Sequence, residues 1–171
     1  MNKVAKFSKV SYEQFRNDWK RVFPLHSDEE IESMYDSIIL PKRSTVGSAG
    51  YDFYLPDDID VFEGWEALIP TGIRCEINND WALCLFPRSG HGFKYGIHLA
   101  NTVGIIDSDY FSADNEGHIM VKLVNDSVLK RDIYLKKHTA FCQGIFMPYG
   151  ITVDDEADGV RTGGFGSTDS K

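Results

Sequence analysis

From Pro41 onward, turn signals interrupt the chain at short intervals: Pro56-Asp57-Asp58, Glu63-Gly64, Asn78-Asn79-Asp80, Arg88-Ser89-Gly90, Asn125-Asp126 and Pro148-Tyr149-Gly150. Each brings together residues that preset or tolerate turn backbone. Between them lie only brief apolar or alternating runs, at Ala67 to Pro70, Trp81 to Phe86, His118 to Val124 and Ala140 to Met147. Short strands at this spacing predict a sandwich or barrel rather than alternating strand–helix–strand units.

The first forty residues follow a different period. Tyr12, Phe15, Trp19, Val22 and Phe23 recur at helical spacing, as do Ile31, Met34, Tyr35, Ile38 and Ile39. Ser11 with Gln14 and Ser27 with Glu30 form candidate capping boxes, and Pro24 closes the first run. Two short helices are therefore expected, at roughly 11–23 and 28–39. The division expected from the sequence is a helical extension over 1–39, a β domain over 40–153 and a polar, glycine-rich tail over 154–171. The helices either cover a face of the β domain or dock a protein partner.

Charge narrows the partners. The 171 residues carry 18 basic and 26 acidic side chains, a formal net of −8. This argues against broad binding to a nucleic-acid backbone but leaves room for arginines focused on one small phosphorylated ligand. The odd set Cys75, Cys84 and Cys142 forms no C-x-x-C pair, and the histidines His26, His91, His98, His118 and His138 show no zinc spacing. No apolar run approaches membrane-spanning length, and Met1 to Val10 lacks a signal-peptide core. A cytoplasmic protein is expected.

Four stretches concentrate residues suited to phosphate and water. Pro87-Arg88-Ser89-Gly90 offers a guanidinium fork, a hydroxyl and a glycine that lets backbone approach; an ordinary turn is the plain alternative. In Gly104-Ile105-Ile106-Asp107-Ser108-Asp109-Tyr110, a carboxylate emerges from an apolar run, where it can hold and deprotonate a water. Asp107 and Asp109 would share a face if the segment is extended; a solvated turn residue is the plain alternative for one of them. The tail Arg161-Thr162-Gly163-Gly164-Phe165-Gly166-Ser167-Thr168 can cradle phosphate oxygens, with Phe165 free to stack on a base; a terminal linker is the plain alternative. Asp52, after Ser48-Ala49-Gly50-Tyr51, and Gln143, amid apolar neighbours, each need a polar partner, which a structural hydrogen bond would also supply.

Taken in order, these pieces resemble the five motifs of the trimeric dUTPase family. Leu40 to Phe53 looks like the first motif with its lead-in and Pro87 to Gly90 the second. Asn101 to Tyr110 looks like the third, Phe141-Cys142-Gln143 the fourth and Arg161 to Thr168 the fifth. The resemblance implies a distorted jelly-roll, β-clip subunit in a homotrimer with shared active sites, cutting dUTP to dUMP and pyrophosphate. It implies that Asp107 orients the attacking water, that Asn101 and the backbone near Gly104 read the uracil edge, and that Tyr110 packs under the deoxyribose. Arg88, Ser89, Gly90 and Gln143 would contact phosphates or the water. Arg161, Phe165, Gly166, Ser167 and Thr168 would close over the γ-phosphate and base from another subunit. A Mg2+ ion would be held mainly by triphosphate oxygens and waters, with no direct protein ligand and Asp52 at most a neighbour of its shell.

The chain departs from the family pattern at three places. Ala140 stands where the fourth motif usually carries arginine, with Lys136 or Lys137 as candidate replacements. The fifth motif is one residue shorter between Arg161 and Phe165, with Asp169 in place of a glycine. Phe111 to Glu116 read as a small inserted loop before Gly117. Two rivals follow from the same resemblance: a regulatory nucleotide-binding protein acting through a partner, and a dCTP deaminase. The latter needs a glutamate where this chain has Lys122.

Overall fold

The computed structural model describes residues 2–126, 128, 130–161 and 163. Its strands are β1 (Ala5–Lys9), β2 (Tyr51–Tyr54), β3 (Ile59–Val61), β4 (Glu66–Pro70), β5 (Ile73–Ile77), β6 (Trp81–Pro87), β7 (His98–Leu99), β8 (Gly104–Ile106), β9 (Met120–Val124), β10 (Ile133–Leu135) and β11 (Ala140–Pro148). The helices are α1 (Tyr12–Val22), α2 (Asp28–Asp36) and α3 (Ser89–Tyr95), with a 3-10 turn at Ser108–Ser112. The strands form antiparallel pairs in four small sheets, ordered β2-β11-β6-β8, β4-β9-β7, β1-β5 and β10-β3. This is the mostly-β architecture that the turn rhythm predicts.

Both early helices form, on unequal terms. Around α2 the capping box is complete, with Ser27 N–H donating to Glu30 (2.8 Å) and Glu30 N–H to the Ser27 hydroxyl (3.2 Å). Around α1 only half of it closes. Gln14 N–H donates to the Ser11 hydroxyl (3.1 Å), but the Gln14 side chain turns to Asp18 (2.7 Å). Glu116, from the inserted loop, takes its place by accepting from both Ser11 N–H (2.7 Å) and the Ser11 hydroxyl (2.6 Å). The second helix ends at Asp36, short of the expected 39, because the Ser37 hydroxyl folds back to donate to the Met34 carbonyl (2.8 Å).

The apolar faces of these helices belong to the main core. Phe15, Trp19 and Ile31 are wholly buried in one cluster with Phe53, Leu55, Ile69, Leu83 and Leu99. Gly72 makes the seat possible. Its φ is +71°, and a Cβ there would lie 2.3 Å from Ile38 Cδ1 and 3.2 Å from Phe15 Cδ2. The residues before Ser11, whose lysine–apolar alternation carried no strand expectation, add β1 to β5 with Ala5 opposite Ile77. Phe7 from that strand packs on Tyr51, Phe53 and Phe146 at centroid separations of 5.4, 5.7 and 5.7 Å.

Two local expectations are corrected. Arg88-Ser89-Gly90 is not a free turn: Pro87 ends β6, Arg88 stands at the N-cap position of α3 without a side-chain capping bond, and the helix leaves through Gly96 in the left-handed region (φ 69°). The segment after Ile106 does not stay extended, because Tyr110 N–H and Ala113 N–H close onto the Asp107 and Tyr110 carbonyls (3.2 and 3.1 Å).

A buried polar link joins α1 to the sheets. His118, fully buried, donates from Nδ1 to Asp18 (2.6 Å), while its Nε2 accepts Gly72 N–H (2.8 Å). An imidazole accepting at Nε2 and donating at Nδ1 is neutral, so the pair holds one negative charge. Burial alone would raise the Asp18 carboxyl, but the hydrogen bonds from His118 and Gln14 outweigh it and hold the pKa below the ordinary carboxylate value. Glu116 is lowered in the same way, with the Ser11 bonds overcoming its burial. The linkage sign is therefore that of a depressed acid. The stabilisation is complete above the ordinary carboxylate range of about 4 and fades as pH falls through the lowered folded values. Between pH 6 and pH 3, wild type is expected to lose more thermal stability than Asp18→Asn, measured by circular dichroism melts. Equal losses would show that Asp18 is not depressed.

Candidate active site

The expected site residues gather in three places along the strand ladder. β11 is the hub of the first. Its register places Gln143 opposite Asp52 of β2 on one side and Phe86 of β6 on the other. Here Asp52 accepts from Arg88 Nε (3.1 Å) and from the Ser44 hydroxyl (2.9 Å), while Gln143 Nε2 donates to the Pro87 carbonyl (3.2 Å). Gly50 keeps the amide in place, since a Cβ there would come within 2.5 Å of Gln143 Oε1. These residues, with Ser89, line a cavity of about 330 Å³. Its walls combine a guanidinium, hydroxyls and an amide, donors suited to phosphate oxygens, with the buried Asp52 carboxylate accepting from Arg88 and Ser44.

At position 140, where the motif pattern carries arginine, only the backbone meets the site. The buried Ala140 offers its carbonyl to Arg88 Nη1 (3.3 Å), so Arg88 is braced by both Asp52 and β11. Neither Lys136 nor Lys137 is among the residues lining the cavity. Lys136 Nζ pairs with Asp58 (2.8 Å), and Lys137 N–H donates to the same carboxylate. His91, one turn into α3, is buried against the same strand. Burial, then the neighbouring Arg88 charge, holds its pKa below the usual histidine value.

The second place is the end of β8. Asp107 follows Ile106 directly, and despite the 3-10 turn it shares a partner with Asp109. Arg161 Nη2 lies 2.6 Å from Asp107, Arg161 Nε 2.9 Å from Asp109, and the guanidinium sits 5.8 Å from the Tyr110 ring centroid. Asp107 is about half exposed, at 48% of its side chain, so water reaches it. Burial raises the Cys84 thiol pKa, and the Asp107 charge adds to the rise. Cys84, Asp107, Asp109 and Arg161 line a cavity of about 520 Å³.

The third place is the turn between β7 and β8. Thr102 adopts φ 63°, and Val103 N–H closes onto the Asn101 carbonyl (2.6 Å). Gly104 keeps the turn tight, because a Cβ would press on Leu85 Cβ (3.3 Å) and Asn101 Nδ2 (3.4 Å). Asn101 and Gly104 line an apolar cavity of about 470 Å³ with Leu85, Leu99 and Ile106, and Arg21 of α1 reaches its rim. Tyr110 is buried and does not line this cavity; its hydroxyl donates to the His118 carbonyl (2.8 Å) and accepts from Asn115 (2.8 Å). Phe165, Gly166, Ser167 and Thr168 lie outside the described residues.

One chain does not unite these places. β2 and β8 are the two edges of the four-stranded sheet, three strand spacings of about 4.8 Å apart. Asp52 and Asp107 therefore lie on opposite margins. Ser44, Glu116 and His118 were not singled out in the sequence as site residues. Ser44 lies within the Leu40 to Phe53 stretch, whereas the other two act only through contacts made across the fold.

The dUTPase family model matches residues 36–169. The Lactococcus lactis deoxyuridine 5'-triphosphate nucleotidohydrolase is 39% identical over 134 residues, covering 77% of this chain and 88% of that protein. The chain belongs to the dUTPase family. The relative from Finegoldia magna is 39% identical over 137 residues, covering 75% of this chain and 90% of its own length. Among solved structures, the Streptococcus mutans dUTPase aligns with a TM-score of 0.64 at 31% identity, covering 85% of this chain and 97% of that one. The dUTPase of Staphylococcus aureus phage phi11 shares the fold at 15% identity, with a TM-score of 0.64 and coverage of 92% and 97%.

Proposed function

We propose that this chain hydrolyses dUTP to dUMP and pyrophosphate in a trimer whose three active sites are each shared between subunits. The observation that carries the shared site is the split within one chain. Phosphate-binding groups sit at one sheet edge and the water-activating carboxylate at the other, so a complete site needs a second copy. The arm bearing Arg161 would add to it from a further subunit.

In this reading Asp107 holds a water and takes its proton as the oxygen attacks the α-phosphorus. The bond to the bridging oxygen breaks, and pyrophosphate leaves. Arg88, Ser89 and Gln143 bear on the phosphate oxygens, where preorganised donors act most strongly on developing charge. Arg161 must first leave Asp107. A triphosphate offers its guanidinium denser negative charge than two half-exposed carboxylates. The Asn101–Gly104 turn faces the uracil edge, and Tyr110 fills the space that a 2′-hydroxyl would need.

Among the described residues no three His, Cys, Asp or Glu side chains group to hold a metal. Asp52 is already engaged by Arg88 and Ser44. With no protein cage, a Mg2+ ion would be held mainly by triphosphate oxygens and waters, with Asp52 at most a neighbour of its shell. Bound there, the ion would neutralise phosphate charge and shape the chain. A cytoplasmic role in removing dUTP and supplying dUMP for dTTP synthesis completes the proposal.

The test is product analysis. With Mg2+, the purified protein is expected to convert dUTP alone among dUTP, dCTP, dTTP and UTP, giving dUMP and pyrophosphate on ion-exchange chromatography. Binding of dUTP without turnover would favour the regulatory reading, and a uracil nucleotide formed from dCTP would favour the deaminase.

A further inference from the structure

The N-terminal extension begins before the family match at residue 36, yet its first helix reaches the residue assigned to the sugar. The Tyr110 hydroxyl donates to the His118 carbonyl (2.8 Å) and accepts from Asn115 Nδ2 (2.8 Å). The His118 ring is fixed by Asp18 of α1 (2.6 Å) and by Gly72 N–H (2.8 Å). Asp18 is held in turn by Gln14 (2.7 Å) and Arg21 (3.1 Å). A second tie runs through the inserted loop. Gly117, at φ 68°, passes so close to Tyr110 that a Cβ would lie 2.6 Å from its carbonyl oxygen. Next to it, Glu116 caps α1 through Ser11 (2.7 Å) and faces Arg74 (4.0 Å). Arg74 in turn donates to the Phe111 carbonyl (2.6 Å) and stacks on the Phe111 ring at 3.7 Å.

We infer that Asp18 is a positioning residue for sugar selection, holding Tyr110 in place through His118, with Asn115 of the inserted loop bracing the other side. The inference rests on the reading of Tyr110 given above. Its physical basis is that the Tyr110 hydroxyl is bonded to the His118 carbonyl and to Asn115, groups that α1 and the loop hold in place. Without Asp18 the buried Nδ1–H of His118 loses its acceptor, the imidazole must seek another, and the carbonyl that anchors Tyr110 moves with it. The extension and the insertion, both outside the common motif pattern, are thus two halves of one support for the sugar site.

The test is steady-state kinetics of the full-length protein on dUTP and UTP, read as the ratio of their kcat/KM values. Asp18→Ala and Asn115→Ala are each expected to lower dUTP-over-UTP selectivity by about tenfold, mainly by raising kcat/KM for UTP, since a displaced Tyr110 no longer fills the space of a 2′-hydroxyl. Asp18→Asn is expected to stay near wild type, because its carboxamide oxygen accepts the same Nδ1–H. A role confined to stability would scale both substrates alike, and an unmoved ratio in Asp18→Ala and Asn115→Ala would overturn the inference. If Asp18→Ala does not fold, Asn115→Ala, on a partly exposed loop, decides alone. Tyr110→Ala separates the two levels. A changed ratio there with Asp18→Ala and Asn115→Ala unchanged removes only the relay, whereas an unchanged ratio in Tyr110→Ala removes the reading of Tyr110 and the inference with it.

Discussion

Asp107→Asn is expected to fold, to bind dUTP and to turn it over about a thousandfold more slowly, within the range attributed to a positioned general base. The substitution keeps the size of a half-exposed side chain at the end of β8. It removes the group that accepts a proton from water. It also removes one of the two carboxylates that grip Arg161, so release of the arm should become easier rather than harder. A fall in kcat with little change in nucleotide affinity, from rapid-quench product analysis and calorimetric titration, is the signature to look for. Turnover within tenfold of wild type would place the base elsewhere, with Asp109 the first residue to examine.

Trp19→Ala is expected to cost about 3–5 kcal/mol of folding stability, the usual range for deleting a large aromatic from a core. The indole is fully buried, lies 5.4 Å from Phe15 and 4.7 Å from Phe23, and donates from Nε1 to His26 (3.2 Å). A loss of that size is a large fraction of the 5–15 kcal/mol that typically holds a domain together. Urea denaturation at matched chain concentration measures it, since an oligomer's stability depends on concentration. A loss under about 1 kcal/mol, the level of an exposed site, would mean that the helices are an appendage with their own small core.

The positions of the site residues could be read from the sequence because phosphate chemistry needs particular side chains next to glycines and strand ends. Pro87 to Gly90, Asn101 to Tyr110 and Phe141 to Gln143 carry that pattern locally. Their neighbours also make local bonds, such as Gln143 to the Pro87 carbonyl across adjacent strands. The α3 helix was not legible, because a seven-residue segment with glycines at 90 and 92 has little helical propensity, and packing of His91 against β11 overrides it. Strand β1 was equally hidden, since its partner lies about seventy residues away and a short lysine–apolar alternation does not by itself name a pairing partner.

The sequence by itself determined the β class, the two amphipathic helices, the order of the phosphate- and water-handling motifs, and the family. Those depend on period, turn chemistry and short-range spacing. Only the tertiary structure decided that the helices share the main core, that Glu116 caps α1 in place of Gln14, that Arg88 leans on the Ala140 carbonyl, and that Asp52 and Asp107 sit on opposite sheet edges. Each of these depends on a contact between distant segments. Its partner is chosen by burial and hydrogen-bond satisfaction in the folded chain, and no local pattern encodes that choice.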